Sequence, residues 1–173
     1  MRVLETARLR LREMADDDAP FVLEVLTDPD FVANVGDRGV HELASARRYI
    51  LEGPGASYVK YGFGLYIVER LADQAPLGMC GLLRRDSHPD VEIGFAFVRR
   101  ARGQGYALEA ARATLGFAQR TLGITRIVAL TKPDNHPSIR ILEAIGLAFE
   151  RMVRFTPDGK ECRLFVVEQG AHS

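Results

Sequence analysis

The chain has 173 residues, 47% of them apolar, with 23 basic and 23 acidic side chains and a formal charge of zero. This length and composition fit one folded domain with a real core and exclude a disordered chain. Balanced charge excludes a general polyanion or nucleic-acid binder, so any phosphate site must be local.

Lys60, Lys132 and Lys160 are the only lysines; the arginine excess suits forked contacts to phosphate or carboxylate, or simply reflects a GC-rich coding sequence. Cys80 and Cys162 lie far apart, with neither metal-ligand spacing nor a redox pair motif, which predicts two buried thiols in a reducing compartment. No stretch is apolar enough to span a bilayer and the N-terminus lacks an apolar signal core. The expectation is a cytoplasmic protein with no metal and no membrane partner.

In chain order, "ARLRLRE" (7–13) alternates Leu9 and Leu11 with arginines and predicts a half-exposed strand. "MADDDAPFVLEVLTD" (14–28) opens with acids and carries Phe21, Val22, Val25 and Leu26 at helical spacing; Asp28-Pro29 ends that helix. "ELASARRYILEG" (42–53) reads as a second helix stopped by Gly53-Pro54, with no clear period between the two. Runs 62–70, 76–85 and 90–99, joined by short gaps, predict an antiparallel meander. A long helix follows over 104–123, with Leu108, Ala111, Leu115, Ala118 and Leu122 on one stripe. Then come a β-branched strand (124–131), a short helix (135–146) and a hairpin around Pro157-Asp158-Gly159. The pattern is a mixed α/β domain, with parallel strands on either side of the long helix.

"FVRRARGQGYALEA" (97–110) joins a strand to the N-terminus of that helix. Free amides and the helix dipole favour an anion there, and Gly103 and Gly105 let the backbone curl into a nest. Arg100 and Arg102 add charge at the rim. A nucleoside triphosphate loop would need Lys and Ser or Thr where Tyr106 and Ala107 stand; a dinucleotide fingerprint would need a third glycine where Leu108 stands.

"RARGQG" (100–105) resembles the Arg/Gln-x-x-Gly-x-Gly/Ala signature of the GCN5-related N-acetyltransferase superfamily. "ETARLRLRE", "VEIGFAF", "GQGYALEA" and "NHPSIRILEAIG" are similar, in order, to its ribosomal-protein-alanine acetyltransferase branch. The resemblance covers nearly the whole chain. It implies a single domain of that fold, with a mostly antiparallel sheet, one splayed parallel pair and about four helices. It also implies acetyl-CoA as donor, with its pantetheine arm between strands 90–99 and 124–131. Backbone near Phe97, Val98 and Arg99 would pair with the arm. The loop of Arg100, Ala101, Arg102, Gly103, Gln104, Gly105, Tyr106 and Ala107 would hold the pyrophosphate, chiefly through amides between Ala101 and Tyr106.

Acetyl transfer to an amine needs a base, an oxyanion donor and stabilisation of the leaving thiolate. Glu92 is the candidate base: it shares a strand face with Gly94 and Ala96, which leaves room for an acceptor. Its alternative role is an ion pair with Arg84 or Arg85. His88 is the rival base, in a turn where a solvated histidine is expected. A strand amide near Phe95 to Val98 is the candidate oxyanion donor. Many superfamily members carry a tyrosine where this chain has Leu142. Asn135 and Ser138 match the family's Asn-x-x-Ser, Ser138 as donor to sulfur and Asn135 as pantetheine ligand or helix cap. Arg140 reaches a CoA phosphate or is solvated, and Tyr106 packs on cofactor or core. The branch implies a protein N-terminal α-amine as acceptor, with a small-molecule amine open. Residues 14–60 and the 156–160 turn would shape its site, in a monomer or homodimer. A non-catalytic acyl-CoA sensor is the alternative.

Overall fold

The computed structural model describes residues 2–86, 88–154 and 159–169. The N-terminal alternation folds as expected. β2 (Leu9–Arg12) buries Leu9 and Leu11 completely, each worth about 1.5–3 kcal/mol against exposure. A further strand, β1 (Arg2–Glu5), pairs antiparallel with it.

On the other face Arg12 meets Glu69 and, through a two-pronged contact of 2.8 Å per prong, Asp18. Burial pushes the Asp18 carboxyl up, but hydrogen bonds from Arg12 and the Ala15 amide outweigh it and hold the group below its usual range. A depressed carboxyl stabilises the fold above its unfolded pKa, and the benefit disappears as pH falls through the folded value. Asp18→Asn should therefore cost about 1 kcal/mol at pH 7, allowing for solvent screening. The deficit should shrink as pH falls below the ordinary carboxylate range. Urea denaturation at pH 7 and at acid pH reads the difference.

α1 (Ala19–Thr27) buries Ala19, Val22, Val25 and Leu26. Asp28-Pro29 ends it as predicted, but also begins α2 (Pro29–Asn34): the Asp28 carboxylate caps the Asp30 amide and Pro29 occupies the first turn. The predicted stop at Gly53-Pro54 does not occur. α3 (Leu43–Ile50) passes through a wide π-type turn, Leu51–Gly55, into α4 (Ala56–Tyr61). The wider turn accommodates a proline that lacks an N–H. A Cβ on Gly55 would stand 2.9 Å from the Ile50 carbonyl oxygen, so this turn requires glycine.

β3 (Leu65–Arg70), β4 (Pro76–Arg84) and β5 (Val91–Phe97) form the expected meander. α5 (Tyr106–Arg120) crosses to β6 (Arg126–Thr131), which pairs parallel with β5. α6 (His136–Ala144), β7 (Ala148–Val153) and β8 (Cys162–Glu168) complete one eight-stranded sheet of order β1-β2-β3-β4-β5-β6-β8-β7. The turn at Thr156, Pro157 and Asp158 lies outside the described residues. One apolar cluster joins β2–β4 to α1 and α3; a second joins Ile93, Ile127 and Ala129 to Ala111, Leu115 and Ala118 of α5 and Ile139 and Leu142 of α6. Among the described residues no helix is long and apolar enough to cross a membrane.

Candidate active site

Two backbone features build the site. The first is the opening between β5 and β6. β5 keeps its antiparallel partners on β4 from Val91 to Phe97, and β6 keeps its partners on β8 from Arg126 to Thr131. Between β5 and β6 only Val91↔Ile127 and Glu92↔Val128 pair. Beyond Glu92 the strands part. The Val98 amide donates to Leu77 O at 3.1 Å, so Val98, Ala96 and Gly94 face β4 by the alternation of an antiparallel ladder. Ile93, Phe95 and Phe97 then turn their amides toward the opening. The Phe97 carbonyl already accepts Arg102 Nε at 2.9 Å. Candidate oxyanion donors thus narrow to the Phe95 and Phe97 amides, with Val98 excluded.

The second feature is the glycine loop. Gly103 and Gly105 adopt φ of +75° and +82°, and Gly105 precedes the first turn of α5. The amides of Ala101 and Arg102 donate to Val98 O and Arg99 O, so they are not available to an anion. Among the described residues the amides from Gly103 to Leu108 have no backbone partner, as at any helix start. The free amides therefore sit about two residues later than the sequence suggests. The arginines are engaged: Arg100 with Glu24, Arg99 with Asp30, and Arg102 with Asp28 and Asp30. Their charge is balanced by acids of α1 and the α1–α2 junction, which ties that region to the loop. Arg140 is exposed on α6.

Arg8 braces the loop from β2's side. It donates to Gln104 O at 3.0 Å and to Glu109 at 2.8 Å, and lies over the Tyr106 ring at 4.4 Å. Tyr106 itself is buried in the core, as expected for a packing residue. Ala107 follows it in the first turn of α5.

A cleft of about 610 Å³ lies along the opening and brings together Glu92, Thr131, Asn135, Ser138 and Leu142. Glu92 is 7% exposed and held by Arg85 through contacts of 2.8 and 3.1 Å. The space before Gly94 is partly filled, since a Cβ there would meet Leu83 at 3.1 Å. His88 is buried rather than solvated, accepts the Asp90 amide at Nδ1, and does not line the cleft. Asn135 caps α6, its Oδ1 accepting the Ser138 amide at 3.4 Å. Leu142 is a core residue at 1% exposure, which accounts for an apolar side chain there. Cys80 is a buried thiol pushed up to about 12 by desolvation, with Thr114 opposing. Cys162, also buried, borders the cleft.

Phe31, Val35, Arg38, Tyr49, Pro54 and Tyr61 also line this cleft; all but Tyr61 fall within residues 14–60, where acceptor-shaping residues are expected. Sequence reading missed Arg8, Arg38, Tyr49 and Thr131. Only Arg8 left a signal, through its place in the ETARLRLRE stretch.

A splayed parallel pair beside an amide-lined helix start is the frame of an acyl-CoA-dependent transferase. The match to a family model agrees: residues 8–148 fit the acetyltransferase (GNAT) domain. The chain is 35% identical over 156 residues to the uncharacterized protein YkkB of Bacillus subtilis, covering 87% of this chain and 88% of that one. An acetyltransferase from Agrobacterium tumefaciens superposes with a TM-score of 0.79 at 26% identity, over 96% of this chain and 94% of that one. RimL, a ribosomal alpha-N-protein acetyltransferase solved with coenzyme A, superposes with a TM-score of 0.80 at 14% identity, over 97% and 98%. The chain belongs to the GNAT acetyltransferase family. Acetyl-CoA is the cosubstrate; the parted strands and free loop amides are groups its amide-bearing arm and pyrophosphate can pair with.

Proposed function

We propose that the chain is a single acetyltransferase domain that moves an acetyl group directly from acetyl-CoA to an α-amine. The observation that carries this is the parting of β5 from β6 beyond Glu92, with unpaired strand amides on one side and free loop amides at its mouth. The pyrophosphate sits on the amides from Gly103 onward, and the pantetheine arm lies along Phe95 and Phe97. Asn135 offers its amide group to the arm. Glu92, oriented by Arg85, receives the amine's proton; a Phe95 or Phe97 amide receives the oxyanion; the Ser138 hydroxyl faces the departing sulfur.

Acceptor chemistry follows from the cleft's charges. Arg38, Lys60, Arg84, Arg85 and Lys132 line it against Glu52, Asp86 and Glu92. Most of these cations are engaged: Arg84 with Pro89 O, Arg85 with Glu92, Lys132 with Ala33 O, and Lys60 over Tyr61. No hydrogen bond or ion pair engages Arg38 among the described residues. It lies near enough to favour the ionised form of the Tyr49 hydroxyl, a group that burial pushes up. A basic wall with a tyrosine hydroxyl suits an α-amine beside a carbonyl or carboxylate, as in a peptide N-terminus or an amino acid, and repels a polycation. RimL's alpha-N-protein acceptor supports the same class.

Thiol release from acetyl-CoA tests this with N-terminal peptides, amino acids, spermidine and an aminoglycoside. Peptides or amino acids should exceed the polycations in kcat/KM by about tenfold or more, roughly the 1.4 kcal/mol that one unfavourable charge contact supplies. Preference for a polycation would refute the acceptor assignment.

A further inference from the structure

Thr131 ends β6 with a side-chain hydroxyl that no group among the described residues satisfies. The residue is 6% exposed, and its Oγ1 is buried without a hydrogen-bond partner. It is the sole side-chain group so placed among the described residues. A valine of the same shape would suit a buried strand end and avoid the desolvation penalty of a lone hydroxyl. The hydroxyl is therefore unexplained by folding.

Its position supplies a partner. Thr131 lines the cleft with Ser138 and Asn135. Alternation along β6 sets it on the face of Ile127 and Ala129, whose cluster includes α6. Extending the parallel register three residues beyond Glu92↔Val128 sets Thr131 level with Phe95, across the opening. Phe95 is one of the three residues whose amides face that opening. The pyrophosphate loop lies past Phe97, toward the open end, so the reacting end of the donor occupies the closing end.

We propose that the Thr131 hydroxyl is a hydrogen-bond donor to the thioester sulfur of acetyl-CoA, strengthening as that sulfur becomes a thiolate. This rests on the acetyltransferase reading above. The amine nitrogen attacks the carbonyl carbon, the C–S bond breaks, its electron pair goes to sulfur, and the amine's proton goes to Glu92. Thr131 keeps its own proton and shares it with the sulfur. Together with Ser138 it supplies what a tyrosine at the Leu142 position would supply elsewhere in the family.

Thr131→Val and Thr131→Ser test the assignment, with CoA and desulfo-CoA, which lacks the sulfur, as calorimetric probes. In Thr131→Val, kcat should fall about tenfold with KM for acetyl-CoA within about twofold, as expected for one hydrogen bond that strengthens with charge. CoA should bind more weakly while desulfo-CoA binds as to the parent. Thr131→Ser should restore both. The valine variant should melt no lower than the parent, which separates lost function from lost fold. Equal weakening of both probes, or of neither, would overturn the proposal. The two-probe comparison needs no acceptor, so it reads Thr131 even if the protein turns over none of the amines offered.

Discussion

Gly105→Val is expected to lower CoA affinity by more than about 100-fold. Three effects act together. At φ +82° a side chain costs about 1–2 kcal/mol, and more when β-branched. The new Cβ would stand 3.3 Å from Arg8 Nη2, pressing on the side chain that holds the Gln104 carbonyl. The remaining valine atoms would crowd the amides from Gly103 to Leu108. Losing two charge-assisted hydrogen bonds to phosphate costs about 3–6 kcal/mol, which exceeds two decades in affinity. Gly103→Ala is the comparison, since a Cβ there meets nothing within 4 Å; it carries the backbone strain alone and should bind CoA much better. Calorimetric titration, with melting temperatures recorded for each variant, reads both. Parent-like CoA affinity in Gly105→Val would mean that the phosphates bind elsewhere.

Glu92→Gln should lower kcat by about 10²–10⁴ while CoA affinity stays within about twofold, the range for loss of a general base. Glutamine keeps the size of the side chain and one acceptor for Arg85, but cannot take the amine's proton. Arg85→Gln separates positioning from proton transfer. It leaves the Glu92 carboxylate buried without its guanidinium, which should destabilise the fold and reduce kcat, though less than Glu92→Gln. A pH profile of kcat unchanged by Glu92→Gln would reduce the pair to a structural ion pair on β4–β5.

Features carried by local chemistry were legible before the structure. Period-2 alternation located β2, apolar spacing located α1 and α5, and short gaps located the meander. The family signature at 100–105 and the Asn135/Ser138 pair fall on one opening because both follow parallel strands at their carboxyl ends. What was not legible depends on groups far apart in sequence. Pro54 reads as a helix stop because a wide turn that absorbs it leaves no sequence period. Arg100 and Arg102 read as charge at a phosphate rim because Glu24, Asp28 and Asp30, some 70 residues earlier, are not visible as partners. The offset of the free amides from Ala101 to Gly103 comes from one short helical turn, Arg99–Ala101. Thr131 is an ordinary strand residue until the emptiness around its hydroxyl is seen.

A crystal structure of the CoA complex should place the donor in the opening between β5 and β6, with its pyrophosphate on the glycine loop. Phosphate oxygens are expected within about 3 Å of amides between Gly103 and Leu108, the usual length of such a bond. Arm amides should pair with Phe95 or Phe97, and the sulfur should lie beside Thr131 and Ser138. Phosphates held by arginine side chains away from those amides, or an arm outside the opening, would overturn this placement.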